Sequence, residues 1–111
     1  MTATPATLNR AQEILADAMS ERELQAAVEG LLDLRGWRWF HDEDSRRNNG
    51  GLPDLVAVRR GRVVFIELKT TRGRVRTEQR AWLEELWMGD VETYLFRPRD
   101  WHAGTIEEVL R

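Results

Sequence analysis

The sequence predicts an α/β sandwich, a mixed β-sheet with helices packed against it. Three observations carry this. Two β-prone runs flank Arg60-Gly61 and read as a hairpin with a short Gly-containing turn. Apolar residues at helical spacing precede the hairpin (Leu24, Val28, Leu31) and follow it (Leu83, Leu86). The second run of the hairpin is apolar on both faces, Val63 and Phe65 on one and Val64, Ile66 and Leu68 on the other, as expected of a central strand in a covered sheet. With 111 residues the chain has the size of one domain, which should bury about two-thirds of the surface its unfolded form exposes. It divides into an N-terminal extension (1–19), a core (20–101) and a C-terminal helix (102–111).

Residues 1–7 are expected to be loose. Leu8 to Met19 forms a short helix with Leu8, Ala11, Leu15 and Ala18 on its inward side. Ser20-Glu21-Arg22-Glu23 has the form of a capping box. It opens a helix with the stripe Leu24, Ala27, Val28, Leu31 and Leu32, which Gly36 ends. Trp37 to His41 reads as a strand, and residues 42–51, with Asn48-Asn49-Gly50-Gly51, as a polar loop. The hairpin strands run from Asp54 to Arg59 and from Arg62 to Lys69. Thr70 to Arg76 is a basic loop containing Gly73. Thr77 caps a helix running to about Met88, with Trp82, Leu83, Leu86 and Trp87 inward and Gly89 as its stop. Glu92 to Phe96 is a fourth strand, and after Pro98 a last short helix spans Thr105 to Leu110. The order of the core is α-β-β-β-α-β.

Composition narrows the chemistry. There is no cysteine, which excludes a disulfide framework, thiolate zinc sites and a thiol nucleophile. No apolar run approaches membrane-spanning length and the first 25 residues carry acids, so no membrane association and a cytoplasmic location are expected. The net charge is −2, yet it is unevenly distributed. Between Arg46 and Arg80 ten basic residues meet three acids, an island of +7, which leaves −9 on the remainder. Such an island attracts phosphate; its bland alternative is a solvated charged face. Of 17 basic residues only Lys69 is lysine.

If Arg60 and Gly61 are the two turn residues, opposed positions sum to 121 and Asp54 faces Glu67. Opposed residues share a face with side-chain roots about 4.5–5.5 Å apart. Two buried carboxylates so placed repel each other unless a cation or a proton compensates. Lys69 lies two residues beyond Glu67 and points the same way. Two carboxylates with main-chain oxygens suit a hard cation such as Mg²⁺ or Mn²⁺. A nearby ammonium can orient an attacking water and offset charge growing on a phosphate. These ingredients fit metal-assisted hydrolysis of a phosphodiester.

Gly51-Leu52-Pro53-Asp54, Glu67-Leu68-Lys69 and Gln79 on the next helix together resemble the PD-(D/E)xK nuclease superfamily. Within it the chain is most similar to the VRR-NUC, or virus-type replication-repair nuclease, domains, over about residues 21–99. The resemblance implies a restriction-endonuclease-like core. It makes Asp54 and Glu67 the metal-binding acids, the carbonyl of Leu68 a main-chain ligand, Lys69 the catalytic lysine and Gln79 a motif residue near the site. Glu23 matches an acidic residue of the first core helix that can join the metal in related resolvases, and is equally explained by the capping box. His41, beside the hairpin, is read as structural with catalysis as the alternative.

Arg46, Arg47, Arg72, Arg74 and Arg76 are the candidate phosphate contacts. Trp82 and Trp87 are read as core. Trp37, Trp39 and Trp101 are read as packing, with base stacking as the alternative. The expected activity is a Mg²⁺- or Mn²⁺-dependent DNA endonuclease, structure-selective on branched DNA such as Holliday junctions and acting as a homodimer. Flap or single-strand cleavage, a non-catalytic DNA-binding module and an acidic interaction domain are the alternatives.

Overall fold

Nine segments build the fold in the computed structural model, which describes residues 7–42 and 50–111. They are α1 (Arg10–Ala18), α2 (Glu21–Leu34), β1 (Arg38–His41), β2 (Leu55–Arg59), β3 (Arg62–Leu68), α3 (Thr77–Trp87), β4 (Glu92–Phe96), α4 (Pro98–His102) and α5 (Thr105–Leu110). Arg46 and Arg47 lie outside the described residues, as does most of the 42–51 loop. Among the described residues no helix is long and apolar enough to cross a membrane.

The four strands form one sheet in the order β1-β2-β3-β4. β1–β2 and β2–β3 are antiparallel and β3–β4 is parallel, so the sheet is mixed as the sequence predicts. The hairpin has the predicted register, Arg59 opposite Arg62 and Leu55 opposite Ile66. Its turn explains why. Arg60 has φ 51° and Gly61 φ 80°, two consecutive positive values, so the two-residue connection matches the twist of the strands.

Alternation along the strands gives the sheet two unlike faces. The inner face carries Leu55, Ala57, Val64, Ile66, Leu68, Tyr94 and Phe96 and packs against Leu24, Val28, Leu31 and Leu32 of α2 and Ile106 and Leu110 of α5. This is the core. Each such aliphatic side chain taken from water contributes roughly 1.5–3 kcal/mol. Trp37 closes one end, its Nε1 donating to the Leu110 carbonyl at 2.9 Å, with the guanidinium groups of Arg59 and Arg62 over its ring.

The outer face departs from expectation. Among the described residues only α3 covers it, on the β3–β4 side, where Leu83 is buried and Trp87 Nε1 donates to the Thr93 carbonyl at 2.9 Å. One helix is roughly 10 Å wide, and strands sit about 4.8 Å apart, so a single helix cannot roof four strands. Val63 is 43% exposed and Phe40 62% exposed. β3 is therefore covered on one face and half open on the other.

Three further corrections concern helices. The predicted inward side of α1 holds only at Leu8, which is buried; Ala11, Leu15 and Ala18 are exposed. The helix docks instead through Gln12, Ala16 and Met19. Gln12 Nε2 donates to the His102 carbonyl at 3.0 Å, and the Ala16 carbonyl accepts from Thr71 Oγ1 at 3.2 Å. A close approach to α4 and the basic loop selects short and polar side chains there, and the apolar residues are left outside. Second, α3 is capped at Arg76, not Thr77, with Gln79 Oε1 accepting from the Arg76 amide at 2.9 Å. Third, α4 was not foreseen; it starts at Pro98, and Asp100 Oδ2 accepts from the Arg97 amide at 2.8 Å.

Two glycines give opposite expectations. Gly51 has φ 104°, and a Cβ there would meet the Glu78 backbone at 2.6 Å, so the chain entering β2 passes directly against α3. Gly30 sits in α2 with nothing within 4 Å of a built Cβ. Gly51→Ala should lower stability by more than about 1 kcal/mol, and Gly30→Ala should raise it by roughly 0.5–1 kcal/mol. Urea unfolding of both variants checks the two signs.

Candidate active site

The site forms where the hairpin strands end on the outer face. Continuing the hairpin register beyond Leu55–Ile66 sets Asp54 against Glu67. Asp54 Oδ2 accepts from the Leu68 amide at 2.8 Å, and Glu67 Oε1 accepts from the Asp54 amide at 3.2 Å. Each acid is thus held by the backbone of the other's strand. The Asp54 carbonyl accepts from the Asp42 amide at 3.2 Å, tying this end to β1.

Glu67 is only 1% exposed. Its second oxygen, Oε2, accepts from Gln79 Nε2 at 2.8 Å and lies 3.7 Å from Lys69 Nζ. Gln79 is itself buried and uses both ends of its amide, the oxygen on the Arg76 amide and the nitrogen on Glu67. That explains an amide at this position. A glutamate would cap the helix equally well but set a third carboxylate against Glu67.

Burial is the largest force on Glu67, followed by the charge of Asp54 and a carboxyl–carboxyl hydrogen bond to it; Lys69 pulls the other way. Together they push its carboxyl from 4.5 up to about 8. Near neutral pH, with no cation bound, Glu67 therefore keeps its proton. A divalent cation compensates the same charge more fully, and all the donor atoms are oxygens, so the residues fit a hard cation. Among the described residues no cluster of three His, Asp or Glu side chains makes a closed cage. Two carboxylates are enough for magnesium, which keeps much of its water.

Glu23 does not join this group. Its side chain accepts from the Ser20 amide at 3.0 Å while Ser20 Oγ accepts from the Glu23 amide at 3.0 Å, a closed capping box. Those bonds hold its carboxyl below the usual range. The acid of α2 that feels the site is Glu21. Partial burial raises its pKa most, the Asp54 charge raises it further, and Lys69 opposes both. A signal for this was present in the sequence: once Glu23 is committed to the cap, Glu21 is the remaining acid in the first turn. His41 pairs with Leu55 and so lies on the inner face, opposite the acids.

The basic loop after Lys69 is fixed from beneath. Arg97 Nη1 donates to the carbonyls of Thr70 at 2.7 Å and Gly73 at 2.8 Å, and the Lys69 amide donates to Phe96 at 3.1 Å. Arg72, Arg74 and Arg76 on that loop are exposed. Arg97, which sequence reasoning passed over, is turned inward as the loop's clamp. Asp54, Glu67, Lys69 and Gln79 are thus brought together, and the exposed arginines flank them.

A buried Glu67 paired with half-buried Asp54 and a lysine at the end of a central hairpin, on a mixed sheet between helices, has the form of a PD-(D/E)xK nuclease core. The chain matches the VRR-NUC domain family over residues 5–98 and belongs to that family. A solved structure described as a VRR_NUC domain shares the fold with a TM-score of 0.68 and 20% identity, over 81% of this chain and 97% of that one. No curated protein matches the chain in sequence at a significant level. The family is one of nucleases, which implies a DNA substrate, and it generally uses divalent metal ions.

Two outcomes are expected without added metal. The native state keeps the Glu67 proton where the unfolded chain has released it, so stability falls as pH rises from about 4.5 toward about 8. Melting temperature across that range checks the sign. Gln79→Leu removes the donor from a buried carboxylate and should cost roughly 1–3 kcal/mol in urea unfolding.

Proposed function

We propose that this domain is a divalent-metal-dependent DNA endonuclease, structure-selective on branched DNA in the manner of a Holliday-junction resolvase. One observation carries the reading: Asp54, Glu67 and Lys69 converge on the outer face of the sheet beside α3, with Lys69 Nζ 3.7 Å from Glu67 Oε2. Asp54, Glu67 and the Leu68 carbonyl would hold Mg²⁺ or Mn²⁺, with Glu21 adding negative charge at the rim. When bound, the cation supplies Lewis-acid stabilisation of the phosphate and a nucleophile at neutral pH.

The remaining work belongs to the chain. Asp54 is fixed by the Leu68 amide and Glu67 by Gln79, so the acids are set in place before substrate arrives. Preorganisation of this kind avoids reorganisation cost at the moment of reaction. The Lys69 ammonium, on a mostly buried side chain, orients the attacking water and offsets charge on the phosphate. Arg72, Arg74 and Arg76 take the flanking phosphates, contacts that position DNA without reading its sequence. A homodimer would present two such sites to a two-fold symmetric junction.

A cleavage panel of junction, flap, duplex and single-stranded DNA tests the reading. Nicking of the branched substrates in Mg²⁺ or Mn²⁺, and none with chelator, is expected. Lys69→Ala should lower kcat by about 10²–10³-fold with DNA binding retained. Lys69→Arg should stay close to the Ala variant, because a planar guanidinium does not replace a compact ammonium. Binding without cleavage in either metal would sink the enzyme reading, and activity in Lys69→Ala equal to wild type would remove that residue from the chemistry.

A further inference from the structure

The described aromatic side chains have settled places, with one exception. Trp37 is buried and bonded to Leu110. Trp39 Nε1 donates to Asp33 Oδ1 at 2.7 Å. Trp87 is bonded to Thr93, Trp101 packs against the core, and Tyr94 stacks on Phe96 at 5.1 Å. Phe65 and Trp82 are half-buried. Phe40 alone is exposed, at 62%.

Its position in the sheet gives this exposure meaning. Phe40 pairs with Val56, and Val56 pairs with Phe65, so all three lie on the outer face. Asp54 and Glu67 occupy the next same-face row, roughly 7 Å along the strands. On the other side of Phe40 the following row is Arg38, Val58 and Val63. That row borders a hollow of about 290 Å³ lined by Arg38, Val58, Arg59, Arg60, Arg62 and Val63, together with Gly36 and Gly61. Arg59 and Arg62 are engaged, Arg59 with the Arg35 and Arg111 carbonyls and Arg62 with Glu92. Arg38 and Arg60 are exposed.

Along the outer face the rows run, in order, from half-buried Asp54 beside buried Glu67, through a bare aromatic ring, to a basic hollow. A single nucleic-acid strand offers the matching groups, a phosphate at the reacting end, an unpaired base beside it and further phosphates along the backbone. An apolar protein partner would match the ring and the valines but not the exposed guanidinium groups beside them. We propose that Phe40 stacks on an unpaired base adjoining the phosphate that is cut, with Arg38 beside it on a phosphate further along the same strand. The inference rests on the nuclease reading and deepens it: the ring favours substrates whose bases are already unstacked at the cut, as at a junction or flap. Bases in continuous duplex are stacked on each other and offer no face.

The test compares Phe40→Ala, Phe40→Leu and Phe40→Trp with the wild type. Substrates are a junction and a flap carrying 2-aminopurine beside the cleavage position, with a continuous duplex as control. Leucine keeps apolar bulk and loses the π-face, whereas tryptophan keeps the face. KM on branched DNA should rise about 10-fold for the Ala and Leu variants, with kcat at saturation much less affected and the Trp variant close to wild type. Duplex binding should not change. 2-Aminopurine fluorescence should be quenched on binding by wild type and Phe40→Trp and not by Phe40→Leu.

Wild-type behaviour of Phe40→Leu in an active enzyme would overturn the inference and leave the nuclease reading intact. A loss of activity in Phe40→Ala that tracks a drop in particle mass by light scattering would also overturn it, since the face then packs on a second copy. Quenching by wild type without cleavage in Mg²⁺ or Mn²⁺ would overturn the nuclease reading while supporting the stacking.

Discussion

Two carboxylates forced together on one face of a hairpin set the terms for the rest of this molecule. Asp54 and Glu67 would repel each other if both were ionised. They are held by crossed bonds to each other's strands, 2.8 Å from the Leu68 amide and 3.2 Å from the Asp54 amide. The register that opposes them depends on the two positive φ values at Arg60 and Gly61. The helix that buries Glu67 depends on Gln79, which caps α3 and binds the acid with the same amide. That helix can reach the site because Gly51 lets the incoming chain pass against it. The core on the inner face supports the platform from beneath.

The use of arginine and lysine follows the same logic. Arg97, Arg59 and Arg62 each use the fork of a guanidinium to reach two acceptors at once. Lys69, the one lysine in the chain, is placed beside Glu67 with a side chain only 13% exposed. A guanidinium in that confined position would claim the carboxylate in a bidentate pair. An ammonium leaves an oxygen available for metal.

Much of this was legible in the sequence, for local reasons. A two-residue turn with glycine fixes a register, and a register fixes which residues meet, so the approach of Asp54, Glu67 and Lys69 followed from counting. The capping box at Ser20 and the stripe on α2 were legible because both are contained within a single helix. What was missed is non-local. The inward side of α1 is chosen by its docking on α4 and Thr71, which favours Ala16 over Leu15. The open half of the outer face depends on where α3 lies, which strand composition does not encode. Glu23 and Glu21 are two residues apart, and only the direction in which each leaves the helix separates the capping acid from the one that feels Asp54. The inward turn of Arg97 depends on a loop more than twenty residues away.

Glu67 holds a proton until a cation takes its place. Calorimetric titration of Mn²⁺ into the DNA-free domain at about pH 7, in buffers of different ionisation enthalpy, measures protons released per cation bound. The claim predicts release of about one proton, lost in Glu67→Gln. Cation binding with no proton release would show that Glu67 is already ionised in the folded state, and would contradict this.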